Sequence, residues 1–376
     1  MRFVPKATIK IASQSPLSVQ LADVGTDIMR GAELAVGQLA DPLMELGYKV
    51  ELAPYDDRND LSAAVDAAKQ IAADPEVLCV VGPFSSRVLN QAKEIYHREG
   101  LPFVSPSATA AFVVESGYLE FNRVLGRNDA EGMAGAQFVK DRGYTGVFII
   151  SENSDLGRFI AGSFKNELGR LGVTVVGDMS TDAVKDFDKL IDRVISSNAD
   201  LVYFSTLNVG QAGTFFREAR AAGYTGALLG MSGLDTPSLL EFAGPLLIEG
   251  GGAYYTNTIL PASGYPDAAG FVEQFETLYN APPQMFAVQA YDAAGVCLKA
   301  IEEASKAKGG EIPTRAEVAN AIRALRDYQG ITGTFNFNKD GDPDPAQYFV
   351  LQIVSVDPNA WDQNTLVAAF EISPPK

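Results

Sequence analysis

Short apolar runs and amphipathic helical patterns alternate along most of the chain, and this alternation limits the fold more than any other feature. Strand patterns fall at residues 8–12, 49–53, 76–81, 101–104, 146–150, 173–176, 200–204 and 227–230. Between them, Ile28, Ala32, Ala35 and Leu39 share one helical face over 26–39, and Leu61, Ala64, Val65, Ala68 and Ile71 mark a second helix capped by Asp60. Further helical patterns cover 157–171, 187–196, 210–222 and a short stretch around 237–242. Repeated strand–helix units predict parallel sheets covered by helices on both faces.

The units form two runs, one opening at Ala7 and one near Gly143, each with a strand, a polar turn and an amphipathic helix. The predicted fold is therefore α/β, with two doubly wound Rossmann-like lobes whose strand carboxyl ends surround a shared crevice. Three segments read as crossings: 120–125, the Gly- and Tyr-rich 252–258, and the β-rich 330–337 ahead of a turn at 338–342. Two long helical patterns between Asp267 and Arg326 are expected to return to the first lobe. The expected lobes are 1–122 with 256–330, and 123–255 with 331–376.

A chain of 376 residues with 47% hydrophobic content suffices for two cores, and its net charge of −17 argues against nucleic acid or an anionic membrane surface as partner. No run of about 18 apolar residues suggests a membrane span. Cys79 lies in a Val-rich strand pattern and Cys297 on an apolar helical stripe, so both read as buried thiols rather than as a disulfide. The first residues lack a hydrophobic targeting core, which fits either a cytosolic protein or a chain whose signal segment has been removed.

Residues 82–110 carry the clearest chemical signal. The apolar runs Val77–Val81 and 101–104 each end in small hydroxyl residues that start a helical pattern: Ser85 and Ser86 first, then Ser105, Ser107 and Thr109. Such starts present unpaired N–H groups and hydroxyl donors at the positive end of a helix dipole, suited to a small carboxylate. Ser86 and Ser107 also read as ordinary helix caps.

Enzyme signatures are missing from the sequence. The one histidine, His97, sits at a helix end in a surface pattern, and two distant cysteines make neither a zinc cluster nor a nucleophile system. There is no nucleophile elbow, no phosphate-binding loop with Lys, and no G-x-G-x-x-G after the first strand. No cofactor or metal is expected. The carboxylates of Tyr55-Asp56-Asp57 read as supports of the turn before Asp60.

Several pieces, taken in order, resemble the branched-chain amino-acid-binding proteins, the type I periplasmic solute-binding components of ABC importers. They are Tyr55-Asp56-Asp57, Gly82 with Ser85-Ser86, and Ile95-Tyr96 through Glu99-Gly100 to Ser105-Pro106 and Ala108-Thr109. Lys185-Asp186-Phe187, Asp200 to Tyr203, Arg217 to Arg220, Ala290-Tyr291-Asp292 and Phe335 to Gly341 continue the series. The resemblance implies two lobes, three hinge crossings and closure over a ligand.

By that resemblance, Ser86, Ser107, Ala108 and Thr109 hold the ligand's α-carboxylate and ammonium, and Phe286 lines the side-chain pocket or acts as a core aromatic. In the second lobe the family's ammonium-pairing acid falls near Ser232, and its two cleft tyrosines fall at Leu156 and near Thr206-Leu207; Asn153 lies beside the first. No carboxylate stands at Ser232. Asp235 is the nearest one, either an ammonium ligand or part of the helix start at Thr236-Pro237. Carboxylate recognition is thus expected, with the ligand a branched-chain or related amino acid, or an aromatic or keto acid. The implied function is delivery to a membrane ABC permease by a monomer in the periplasm or on the outer face of the membrane. A ligand sensor of the same fold, or an enzyme using carboxylate chemistry, are the other readings.

Overall fold

The structure is a computed structural model that describes residues 5–181 and 187–375. Strand β1 (Ala7–Ser15) is followed by α1 (Ala22–Leu39), the short α2 (Asp41–Glu45), β2 (Tyr48–Asp56) and α3 (Leu61–Ala73). Then come β3 (Val77–Val81), α4 (Ser86–Arg98), β4 (Phe103–Ser105) and β5 (Phe121–Arg123). Asp60 caps α3 as its sequence predicts, accepting hydrogen bonds from the N–H groups of Ser62 and Ala63, both at 2.9 Å.

The second run comprises α5 (Asn128–Asp141), β6 (Gly146–Glu152), α6 (Asp155–Leu171), β7 (Thr174–Thr181) and α7 (Asp188–Ser196). It continues with β8 (Leu201–Ser205), α8 (Val209–Ala221), β9 (Ala227–Gly230), α9 (Ser238–Ala243) and β10 (Ala253–Asn257). The chain then forms α10 (Ala269–Tyr279), α11 (Ala287–Ala307), α12 (Arg315–Ala324), the small hairpin β11 (Tyr328–Gln329) and β12 (Thr334–Phe335), and finally β13 (Ala346–Ile353) and β14 (Thr365–Ile372).

These elements divide into two compact units. One holds the described chain up to Gly126 together with Leu260–Ala346, and the other holds Arg127–Ile259 with the chain from Gln347 on. The first contains a five-stranded parallel sheet in the order β2-β1-β3-β4-β5. The second contains a seven-stranded sheet, β14-β13-β10-β9-β8-β6-β7, in which β13 runs antiparallel to β10. From β7 to β10 its order repeats that of the first sheet, so each unit is doubly wound with a switch between its first and third strands. The fold is that of a type I periplasmic binding protein.

Alternation along the strands sorts the first core into two layers. Ile9, Ile11, Cys79 and Val81 face α1 and α11, where Ile28, Ala32, Ala35, Val296 and Ile301 are fully buried. Ala12, Val80 and Phe103 face α3 and α4 on the opposite side with Ala68, Leu89 and Tyr96. Each such buried aliphatic or aromatic side chain contributes about 1.5–3 kcal/mol relative to exposure. In the second unit Val147, Ile149, Phe164, Leu168, Leu201, Tyr203 and Leu229 form the equivalent core.

Four expectations are corrected. Cys79 and Cys297 are joined in a disulfide, because the long α11 packs on β3 and brings their Cα atoms to 5.8 Å across 218 residues of sequence. Residues 267–326 form three helices, not two, since Pro282-Pro283 and Pro313 interrupt the pattern. The stretch 252–258 holds β10, a strand of the second sheet rather than a free crossing. The third passage falls after Ala346 and not at 330, because Phe335 and Phe337 pack in the first unit's core. Lys185 and Asp186 of the sequence resemblance lie outside the described residues.

Candidate functional site

Two loops at the carboxyl ends of β3 and β4 meet beside the first unit's switch point. After β3 the chain turns through Gly82, whose φ of +117° suits glycine, and a Cβ there would lie 2.2 Å from the Gln14 carbonyl oxygen of β1. This close approach aims the next residues over the sheet edge. Ser85 is the true cap of α4: its Oγ accepts from the N–H of Val88 and donates to Asn59 Oδ1 at 2.6 Å. Ser86 is therefore the first helical residue, and its Oγ accepts from the N–H of Ala110 at 3.2 Å.

The second hydroxyl cluster does not start an α-helix, as the sequence pattern suggested. Ser105 Oγ donates to the Pro83 carbonyl and accepts from the N–H groups of Ser107 and Ala108, and only a 3-10 turn, Ala111–Val114, follows. The fully buried Arg123 fixes this loop by donating through Nη1 to the carbonyls of Ala108 and Ala110, at 2.8 and 3.1 Å, while its Nε donates to Asp342 at 2.6 Å. Ser107 Oγ donates to the Phe84 carbonyl at 2.7 Å, which stitches the two loops together. The half-buried Thr109 makes no hydrogen bond within the protein among the described residues, through either its N–H or its hydroxyl.

Phe286 stands beside these loops. It precedes α11 in the left-handed region, φ +70°, and its ring meets Phe84 edge to face with centroids 5.9 Å apart. A bulky residue at positive φ is strained, and such strain persists only where the surroundings hold it. Ser86, Ser107, Ala108, Thr109 and Phe286 are thus gathered in one place. Together they offer an orphan N–H of the first helical turn, a hydroxyl pair and an aromatic face.

In the second unit, Asn153, Leu156, Thr206 and Ser232 lie at the carboxyl ends of β6, β8 and β9. Ser154 caps α6 through the N–H of Gly157 at 3.0 Å, which leaves Leu156 half-buried in the first turn. Asn153 accepts from Arg158 and is pinned by its N–H to the Thr181 carbonyl. Thr206 donates to Glu152 Oε2 at 2.7 Å, and the N–H of Leu207 donates to the same oxygen at 3.1 Å. The turn Ser232–Leu234 packs against Leu207, since a Cβ on Gly233 would lie 2.4 Å from it.

Ser232 is held by a carboxylate from another element. Glu131 of α5, fully buried, accepts from the Ser232 N–H at 2.5 Å, from Ser232 Oγ at 2.9 Å and from Thr256 Oγ1 of β10 at 2.6 Å. Burial pushes its carboxyl up to about 7, against the pull of those three donors. Asp235 is committed elsewhere: it accepts from Asn257 Nδ2 at 2.7 Å and from the Trp361 indole at 2.9 Å, tying the turn to β10. Glu131 and Glu152 escaped the reading of the sequence. The signal for Glu131 was a second acid after Asp129, among small residues in a helical stretch with no exposed stripe to carry it.

His97 lies on the surface against Glu120 and stacks on Tyr118. Among the described residues no cluster of three or more His, Cys, Asp or Glu side chains could hold a metal, and no helix is long and apolar enough to cross a membrane.

Residues 8–357 match the family model described as periplasmic binding protein. The chain belongs to this family. A Leu/Ile/Val-binding protein of Rhizobium johnstonii is 28% identical over 98% of this chain and 96% of its own length. A leucine-, isoleucine-, valine-, threonine- and alanine-binding protein of Pseudomonas aeruginosa is 28% identical over 89% of this chain and 87% of its own. The crystal structure of a leucine-binding protein from Thermotoga maritima superposes with a TM-score of 0.72 at 26% identity, covering 96% of this chain and 99% of that one. This periplasmic binding protein thus belongs to a substrate-binding family and not to an enzyme family.

Proposed function

We propose that this protein captures a small carboxylate-bearing solute, a branched-chain or closely related amino acid, and delivers it to an ABC permease from the periplasm or the outer face of the membrane. The observation that carries the reading is the pair of strand-end loops in the first unit, where Ser86 and the unpaired Thr109 meet an orphan helix N–H beside the Phe84–Phe286 rings. Three kinds of neutral donor in one place suit a carboxylate, and the aromatic face suits an aliphatic side chain.

In this reading the ligand docks first on Ser86, Ser107, Ala108 and Thr109, with Phe286 against its side chain. Asn153, Leu156, Thr206 and Ser232, at the strand ends of the second unit, are the further candidates for contact with the ligand. Asp235 is left out of the ligand set because Asn257 and Trp361 already occupy its oxygens. The amino acids named for the Rhizobium and Pseudomonas relatives support the ligand class.

A thermal-shift screen of the full chain against branched-chain amino acids, their keto acids, aromatic carboxylates and small amides, followed by calorimetry, tests this. Stabilisation by carboxylates and not by the amides is the expected result; a hit confined to neutral amides removes the carboxylate site.

A further inference from the structure

We infer that Glu131 is the residue that selects for an ammonium group on the ligand, acting as a positioning residue through the hydroxyl of Ser232. The inference rests on the ligand-site reading above and adds which chemistry the second unit recognises. Ser232 carries no charge, and Asp235 is turned away, so a zwitterion needs its counter-charge from another group.

Glu131 supplies one. Its two oxygens are fully desolvated and receive three neutral donors, the Ser232 N–H, the Ser232 hydroxyl and the Thr256 hydroxyl. Among the described residues no basic side chain stands within ion-pair distance of it. A buried anion with only neutral partners gains from any cation brought near, because the low-dielectric surroundings screen it weakly.

The charge on Glu131 also sets the direction of the hydroxyl. With Glu131 ionised, Ser232 Oγ gives its proton to Glu131 Oε2, so its remaining lone pairs are free to accept. Ser232 is half-buried at the carboxyl end of β9, with Glu131 sealed behind it. The hydroxyl thus presents acceptor density outward, polarised by a carboxylate one bond away. An ammonium N–H fits that surface; a keto oxygen meets lone pairs and gains nothing. Glu152 also lies at a strand end, but it is half exposed to water, which already solvates its charge.

The test is calorimetry of the full chain with the twenty proteinogenic amino acids and the matching 2-oxo acids, on the wild type, Glu131→Gln and Ser232→Ala. The expected result is that at least one amino acid binds the wild type, and that both variants lose about tenfold or more of that affinity while 2-oxo acid affinity is unchanged. A residue that only braced the fold would lower both affinities together. Ser232→Ala deletes one hydroxyl at a half-exposed position and carries the test if Glu131→Gln does not fold.

Binding of no amino acid by the wild type, or an unchanged amino-to-oxo ratio in the variants, overturns the assignment. Thr109→Val separates this from the ligand-site reading, since it should weaken both ligand classes equally. Wild-type affinity in Thr109→Val with a changed ratio in Glu131→Gln would remove the carboxylate site and leave the ammonium assignment standing.

Discussion

The ring of Phe286 braces the ring of Phe84 edge to face, 5.9 Å between centroids, so the residue before α11 supports the loop that starts α4. Replacing Phe286 by Ala removes a contact worth about 0.5–1.5 kcal/mol beyond its buried area. Replacing it by Gly removes the same contact but also relieves roughly 1–2 kcal/mol of left-handed backbone cost. Both variants should bind ligand more weakly, and the Gly variant should melt at the higher temperature. A more stable Ala variant would show that no backbone strain is held at this position.

The loops proposed to receive the carboxylate make a second prediction. Thr109→Val keeps the shape of the side chain and deletes its hydroxyl, which should weaken carboxylate binding by about 1–3 kcal/mol. Calorimetry on a correctly folded variant reads this directly, and unchanged affinity removes Thr109 from the site.

Arg123 and Asp342 form a fully buried ion pair that also fixes the carbonyls of Ala108 and Ala110. Arg123→Met strands the Asp342 charge and frees the loop, for a stability loss of about 3–5 kcal/mol. The double variant Arg123→Met with Asp342→Leu should recover part of that loss in urea denaturation. A double variant no better than the single one would mean that the loop bonds, and not the stranded charge, set the penalty.

Stability should depend on pH through three buried acids. Burial raises Glu131 to about 7 and both Asp57 and Asp292 to about 6, from ordinary values of 4.5, 3.8 and 3.8. Each keeps its proton to higher pH in the folded state than in the unfolded one, so the native state binds more protons between about pH 4 and 7. Stability from these groups therefore falls as pH rises through that window. Thermal melts from pH 5 to 8 should show the decline, and Glu131→Gln should flatten its upper part. A melting temperature that climbs steadily from pH 5.5 to 7.5 would contradict it.

The disulfide gives a chemical prediction. Thiol titration of the denatured, unreduced protein should find no free cysteine, and Cys297→Ala should expose one thiol at Cys79. Closing a loop of this length stabilises by up to about 4–5 kcal/mol in the chain-entropy model, so that variant should melt well below the wild type. Two titratable thiols in the unreduced chain would exclude the bond.

Much of the fold was legible because period-2 and period-3.6 patterns survive wherever a strand or helix buries one face. The loops at 82–110 were legible only in part, because small hydroxyl residues after an apolar run also serve as caps and loop braces, as Ser85 and Ser105 do here. Glu131 was hidden because α5 is rich in Ala and Gly and buried on most sides, and Asp129 beside it makes the pair read as the acidic first turn of a helix. The pairing of Cys79 with Cys297 depends on how α11 lies on β3, a tertiary relation that no local pattern encodes. Strands β13 and β14 lacked a following helix, and a reading built on strand–helix units passed over them.

The first unit is assembled from two stretches of sequence with the whole of Arg127–Ile259 synthesised in between. A chain growing from its N-terminus therefore completes most of the second unit's sheet while the first still lacks α11, the helix that covers one face of β1 and β3. Until that helix arrives, Ile9, Ile11 and Val81 have only α1 to cover them, and Cys79 waits as a lone thiol. Strands β1 and β3 thus wait through the synthesis of almost the whole second unit for their second covering helix, and that open face is the surface a holding chaperone would have to guard while the chain is being made.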